Sequence, residues 1–253
     1  MIRVKEVEQN ALVMIHGVTI HGIQYQDDLR KPTAYYIEDS GVGLLLLNHP
    51  KRGNGARVAL LGLGVGTLVT YGEPSDTYRL YVINQIVIDL AQGEGNYFTF
   101  LKDSKATIEM IPGDARISLE NEWIANGSQN FDVIVLDTFS SDSIPVHLVT
   151  KEAYELYLQH LTADGVIAAN ISNRSIDLQP VFWKLAQEFG LTILRVDNIP
   201  DEDEYLSTWI LMSQNPASLE IPEIQSRAQK FENYSTDVPL WTDDYSNLFQ
   251  ILR

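Results

Sequence analysis

A short apolar run that stops in a three-glycine turn constrains this chain more than any other feature. Residues 56–66 read Ala-Arg-Val-Ala-Leu-Leu-Gly-Leu-Gly-Val-Gly. The stretch 58–61 has the length and composition of a buried parallel strand. Gly62, Gly64 and Gly66 then let the chain turn sharply and bring its backbone close to a ligand. A helix expected from Thr67 would add free N–H groups and the positive end of its dipole. By itself such a triplet is a weak signal, since an ordinary tight turn carries it too. Its meaning depends on the order of elements downstream.

Beyond the turn, strands and helices alternate. Strands are predicted near 57–61, 78–83, 107–111, 132–136, 165–171 and 190–196, with helices near 67–71, 84–92, 114–121, 150–160 and 177–188. That order predicts an α/β fold with a parallel sheet covered on both faces. A further strand is expected at 206–212 and a short amphipathic helix at 222–231. The first fifty residues differ: segments 2–7, 11–15 and 18–23 are short and rich in β-branched residues, with Asn10 and Gly17 as turn signals. They predict a small antiparallel sheet, so the chain divides into a β-domain over 1–52 and a larger domain over 53–253.

Composition narrows the function classes. A net charge of −16 over 253 residues argues against nucleic acid as a partner and suits a cationic small molecule, although acidity also serves solubility alone. No apolar run approaches the roughly 20 residues of a membrane helix, so no membrane insertion is expected. There is no cysteine and the first residues lack the apolar core of a signal peptide, which together suggest a cytoplasmic protein. His16, His21, His49, His147 and His160 are not spaced as metal ligands, and no metal is expected.

In open sheets of this kind ligands bind outside the carboxyl ends of the strands. Three loops there carry candidate chemistry. Asp114, in Pro112-Gly113-Asp114-Ala115-Arg116, stands where a helix begins. It is either that helix's N-cap or an acceptor for an adenine amino group beside the Ala115 backbone. Asp137 ends the apolar strand Phe131-Asp132-Val133-Ile134-Val135-Leu136, where a carboxylate is costly unless it has a partner or a task. The connection after it is longer than the usual two to six residues and reads as a lid or substrate wall. In the tail, Trp241-Thr242-Asp243-Asp244-Tyr245 interleaves aromatic and acidic residues. It suits either a cover over a cation or a terminal turn packed on the sheet.

Taken in order, the glycine turn, Gly113-Asp114-Ala115 and the strand ending in Asp137 resemble the polyamine aminopropyltransferases, the spermidine synthases. His21-Gly22-Ile23-Gln24 and Tyr35-Tyr36-Ile37-Glu38 are similar to that family's small N-terminal β-domain. Asp137-Thr138-Phe139-Ser140-Ser141-Asp142, Asn170-Ile171-Ser172-Asn173-Arg174 and Trp241-Thr242-Asp243-Asp244 look closer to a bacterial branch often fused to a transporter-like membrane part. The resemblance implies a Rossmann-like, mostly parallel sheet with a small antiparallel β-domain. It also implies transfer of an aminopropyl group from decarboxylated S-adenosylmethionine to an amine such as putrescine, releasing methylthioadenosine without a metal.

Carried over by motif, Asp137 would take the proton of the attacking amine. Gln24, Gly62, Gly64, Gly66, Asn84, Asp114 and Ala115 would face the nucleoside, while Tyr36, Asp142 and Asp243 would face the amine. Family members are commonly dimers or tetramers, so a homodimer or homotetramer is implied, with no sequence feature fixing an interface.

Four positions depart from the family pattern. Val82 stands where a carboxylate should hold the ribose hydroxyls, with Asn84 on the same strand face as a partial substitute. Val65 replaces the Asp that pairs with the aminopropyl amine, Ile37 follows the channel tyrosine, and the usual Asp-Pro after the catalytic carboxylate is missing. Two alternatives therefore stay open beside aminopropyl transfer. One is methyl transfer from intact S-adenosylmethionine, and the other is a non-catalytic domain that has lost nucleoside binding.

Overall fold

The computed structural model describes residues 2–7, 10–17, 19–138, 145–199 and 205–253. Three strands, β1 (Ile2–Val7), β2 (Ala11–His16) and β3 (Thr19–Tyr25), pair antiparallel in chain order. This is the small N-terminal sheet expected from the β-branched segments. The next element was not expected. Helix α1 (Gly41–Asn48) carries two glycines in its first turn, which lowers intrinsic helix propensity. Both are there for space: a Cβ on Gly41 would lie 2.6 Å from that of Trp209, and one on Gly43 only 2.2 Å from the Ile37 carbonyl oxygen. Ser40 caps the helix by accepting from the Gly43 N–H, and this was the sequence signal available.

The remaining chain builds one mixed sheet. Its strands are β4 (Arg57–Leu61), β5 (Thr77–Val82), β6 (Thr107–Pro112), β7 (Phe131–Leu136), β8 (Leu161–Asn170), β9 (Thr192–Asp197), β10 (Thr208–Ser213) and β11 (Ala228–Lys230), in the spatial order β11-β9-β10-β8-β7-β4-β5-β6. Strands β4 to β8 run parallel to one another, and β10 inserts antiparallel between β8 and β9. Helices α2 (Gln85–Ala91), α3 (Phe100–Asp103), α4 (Ala115–Asn126), α5 (Lys151–His160) and α6 (Gln179–Phe189) fill the connections. Two apolar clusters lie on opposite faces of the sheet, one under α1 and α2 and the other under α4, α5 and α6. The architecture is the Rossmann-like sheet with a small antiparallel N-terminal sheet.

Two local expectations are corrected. Residues 222–231 do not form one helix: α7 (Pro222–Gln225) is a single turn, and β11 then pairs antiparallel with β9. An open sheet edge offers unpaired N–H and C=O groups, and pairing with it outweighs a weak helical period. The segment after the glycine turn, Thr67–Tyr71, is a 3-10 turn rather than an α-helix. Its dipole is correspondingly short, so ligand binding there rests on the turn itself.

The order of strands places the site. Strand β4 is flanked by β5 and β7, so the chain leaves the sheet centre in opposite directions after β4 and before β7. A crevice opens at the carboxyl ends of such a pair. Gly62 follows β4 and Asp137 follows β7, and the Asp137 N–H donates to the Leu61 carbonyl at 2.9 Å.

Candidate active site

The crevice is a cavity of about 310 Å³, at the small end of the range for small-molecule sites (~300–1,000 Å³). Gly62 and Gly64 form one wall, Val82 and Asn84 a second, Asp114 and Ala115 a third, and Asp137 and His147 a fourth. These residues come from the ends of β4, β5, β6 and β7, so four separate loops meet around one volume. The turn's backbone explains its composition. Gly62 has φ 101°, and a Cβ there would lie 2.1 Å from the Asp137 carbonyl oxygen. Gly64 has φ 55°, and its Cβ would lie 2.4 Å from the carbonyl oxygen of His21 in β3. The glycines thus bring protein backbone together and leave the cavity open in front of it.

Asp137 sits at one end of this space. Its Oδ2 accepts from the Tyr36 hydroxyl and its Oδ1 from the Asn170 amide nitrogen at 2.9 Å. Burial pushes the carboxyl pKa up, and these two hydrogen bonds only partly oppose the rise. Burial, reinforced by the neighbouring carboxylate, also holds the Tyr36 phenol protonated far beyond neutral pH. Tyr36 is fixed from its own backbone: Tyr71 donates to the Tyr36 carbonyl, and Trp209 donates to the Tyr35 carbonyl at 3.2 Å. Two residues earlier Ala34 adopts φ 56°, a left-handed conformation that costs roughly 1–3 kcal/mol outside glycine. The surrounding fold imposes that geometry, and Tyr36 is the side chain it delivers.

Asp114 occupies the opposite end and is, by geometry, the N-cap of α4. Its Oδ1 accepts from the Arg116 and Ile117 N–H groups at 3.0 and 3.1 Å, and its Oδ2 meets His147 Nε2 at 2.9 Å. Partial burial would raise its pKa. The bonds from Ile117, His147 and Arg116 outweigh burial and hold it below the ordinary carboxylate range. Asn84 likewise caps α2, accepting from the Ile86 N–H at 3.0 Å, and remains on the cavity wall.

Several expected site residues are elsewhere. Gln24 does not face the cavity: it is fully buried, its amide nitrogen donating to Leu29 and Thr99 while its oxygen accepts from the Thr99 N–H. A side chain so fully engaged holds β3 against the segment before α3. Gly66 is absent from the wall because it lies against Leu101. Asp243 is held by Arg116 in a bidentate ion pair, both contacts at 2.6 Å, with Thr150 donating at 2.9 Å. It therefore anchors the tail to α4 and does not line the cavity with Asp137. Asp142 lies outside the described residues.

Val65, where the family places an Asp, is 1% exposed and fills the gap left by Gly22 of β3. The position has become packing. Among the described residues no group of three or more His, Cys, Asp or Glu is arranged to hold a metal.

The structure adds residues that motif reading did not assign to the site. Asn170 was quoted only as part of a motif, and its contact with Asp137 spans 33 positions. His16 and His21 line the cavity from the N-terminal sheet with their rings 5.7 Å apart. Burial, with a smaller contribution from His16, lowers the His21 pKa and keeps that ring neutral. Their only sequence signal was the alternation of β2 and β3, which does not say what the sheet faces.

The cavity can bind a small molecule between a carboxylate kept ready to accept a proton and a carboxylate kept ionised. No family model matches the chain. It is 25% identical over 250 residues to a polyamine aminopropyltransferase of Vibrio vulnificus, covering 91% of this chain and 80% of that one. A probable spermidine synthase from Corynebacterium glutamicum has the same fold, with a TM-score of 0.70 at 16% identity over 98% of this chain and 94% of that one. A spermidine synthase in complex with the transition-state analogue AdoDATO gives 0.54 at 17% identity, over 96% and 77% of the two chains. No helix among the described residues is long and apolar enough to cross a membrane. In sequence the chain is similar to a polyamine aminopropyltransferase, and it shares the fold of the spermidine synthases.

Proposed function

We propose that the protein transfers an aminopropyl group from decarboxylated S-adenosylmethionine to an amine, with Asp137 as the general base. One observation carries the assignment of the base: a strand-end carboxylate with a raised pKa, fixed by Tyr36 and Asn170, opens onto a cleft at the sheet's switch point. The adenosine part of the donor lies in that cleft, its base toward Asp114 and Ala115 and its ribose toward Val82 and Asn84. With Val82 in place of a carboxylate, the ribose loses charge-assisted hydrogen bonds contributing roughly 1.5–3 kcal/mol each. Donor affinity is correspondingly lower than a carboxylate at position 82 would give.

The chemistry follows from the acceptor. A primary amine with a pKa near that of Lys, about 10, arrives protonated at neutral pH. Ionised Asp137 attracts this cation and takes one proton from it. The freed nitrogen lone pair then forms a bond to the propyl carbon next to sulfur. The carbon–sulfur bond breaks, its electron pair stays on sulfur, and methylthioadenosine leaves as a neutral thioether. Orientation of nitrogen behind that carbon supplies much of the acceleration. The protein's net negative charge favours arrival of both cationic reactants.

The test is a product assay by mass spectrometry with putrescine, spermidine and cadaverine, each offered with decarboxylated or intact S-adenosylmethionine. Aminopropylated amine together with methylthioadenosine is the expected result. A methylated amine from the intact donor, or no product and no methylthioadenosine binding, overturns the proposal.

A further inference from the structure

The acidic tail is built into the protein outside the cleft. Trp241 is fully buried, and its carbonyl accepts from the Lys151 N–H at 2.8 Å, at the first residue of α5. Thr242 and Tyr245 then bond each other's backbone at 2.9 and 3.2 Å, which closes a tight turn. Asp243 lies inside that turn. Its N–H donates to the Glu152 carboxylate at 2.9 Å, and its own carboxylate accepts from Thr150 and from both terminal nitrogens of Arg116. The tail is thus strapped across the N-terminal ends of α4 and α5.

Arg116 is the second residue of α4, where the helix dipole disfavours a cation. Local helix preference therefore does not explain an arginine at this position, whereas its contacts do. Besides Asp243 it reaches the Glu120 carboxylate through Nε at 3.0 Å, and its Nη1 donates to the His147 carbonyl at 3.0 Å. The bidentate pair fixes the guanidinium plane, and with it the direction of the bond to His147. Arg116 in turn holds the Asp243 carboxyl below the ordinary carboxylate range, so the pair stays charged at neutral pH.

His147 is a residue that needs such a hold. It belongs to the 3-10 turn Val146–Leu148, and it lines both the cleft and a second cavity of about 420 Å³ bounded by Thr150, Thr242 and Ser246. Its side chain is half exposed, so packing confines it little and its hydrogen bonds order it against the entropy it loses. One bond joins Nε2 to Asp114 Oδ2 at 2.9 Å, and the other is the backbone bond from Arg116. Asp243, Arg116, His147 and Asp114 therefore form a continuous chain from the tail to the cleft wall.

We infer that Asp243 is a positioning residue for the donor: by fixing Arg116 it holds His147 against Asp114, and so orients the wall on which the nucleobase rests. The inference rests on the aminopropyl-transfer reading for the ligand and on these four residues for the linkage. Two backbone N–H groups fix Asp114 Oδ1, and His147 fixes Oδ2, the oxygen left for an exocyclic amino group. Without the Asp243 charge, Arg116 is free to turn to Glu120 alone. The His147 carbonyl then loses its donor, and the ring moves off Asp114.

Methylthioadenosine is the probe, because it is neutral and its binding does not respond to the bare loss of one distant negative charge. Its Kd is measured by titration calorimetry for wild type, Asp243→Asn, His147→Ala and the double variant, with melting temperatures as the check on folding. Asp243→Asn is expected to weaken binding roughly three- to tenfold, the usual size of an effect passed through neighbouring contacts. In the His147→Ala background the same substitution is expected to change nothing further, since the link it acts through is gone. The His147 ring is followed without ligand by nitrogen-correlated NMR, its signal identified by its loss in His147→Ala. In Asp243→Asn that signal is expected to move toward its position in Asp114→Ala, where the ring has lost its carboxylate partner.

A purely structural tail gives additive effects in the double variant, and that result overturns the inference. So does an Asp243→Asn protein that binds methylthioadenosine as wild type does, or a His147 signal that stays in place. Wild-type protein that does not bind methylthioadenosine removes the aminopropyl-transfer reading instead. The His147 signal then decides the positioning role by itself: a moved signal keeps it and an unmoved one ends it.

Discussion

The two ends of the cleft hold the same residue type in opposite environments. Asp137 and Asp114 both follow a parallel strand and both line the same 310 Å³ cavity. At the Asp137 end the carboxyl accepts from two neutral side-chain donors, and burial dominates, so its pKa rises. At the Asp114 end two backbone N–H groups at a helix N-terminus and an imidazole outweigh burial, so its pKa falls. A carboxylate needed to take a proton near neutral pH gains from the first environment. One needed as a fixed negative charge gains from the second. The contrast shows how a single sheet edge shifts one side-chain type in opposite directions by changing only what surrounds it.

Substitution of the two residues breaks the comparison most directly. Asp137→Asn is expected to lower the rate of methylthioadenosine release on the order of a hundred- to ten-thousandfold, the span of general-base contributions, with methylthioadenosine binding retained. Unchanged turnover would remove Asp137 from its role. The same variant should melt at a higher temperature than wild type at pH 7. A raised folded-state pKa means the group's contribution to stability is fully present below the unfolded value, about 3.9, and is lost as pH rises through the folded value. The gain therefore disappears on titration toward pH 4.

Tyr36→Phe sharpens the contrast instead of abolishing it. Its hydroxyl opposes the rise of the Asp137 pKa, so its removal should move the acid limb of the pH–rate profile to higher pH. At neutral pH the turnover should fall, because a smaller fraction of Asp137 is ionised. An unmoved acid limb would detach the tyrosine from the base.

The smallest effect is expected at the other end. Asp114→Ala removes the α4 cap and should cost about 1 kcal/mol of stability in a denaturation experiment. Here the sign is reversed. The folded-state pKa is lowered, so the contribution is present above the unfolded value of about 3.9 and is lost as pH falls through the folded value. The stability gap between wild type and Asp114→Ala should narrow below about pH 4, whereas the gap for Asp137→Asn opens above it. Parallel pH dependences for the two variants would contradict the opposed environments.

Much of this site was legible in the chain because it was local. Leu61-Gly62-Leu63-Gly64 specifies a buried strand and a turn that only glycine accommodates, and Leu136-Asp137 announces a carboxylate where an apolar strand ends. Asp114 was legible as far as two alternatives, and the geometry is that of the cap. Other residues carried a motif but not a position. Gln24 matches the family stretch, yet its amide is consumed by Leu29 and Thr99. Asp243 matches an acidic tail, yet Arg116 claims it from 127 positions away. Val65 was readable as a departure, whereas its use as filler against Gly22 required β3 to be seen lying beside the glycine turn.

The sequence by itself determined the strand–turn register, the parallel alternation, the small antiparallel sheet and the carboxylate at the end of β7. These depend on hydrophobic period, glycine conformation and solvation cost within a few residues. Only the tertiary structure decided that Tyr36 and Asn170 hold that carboxylate, that β11 completes the sheet edge, and that Arg116 claims Asp243. Each of those depends on contacts between distant segments, and the energy of such a contact is set by which groups remain unpaired once the core has closed.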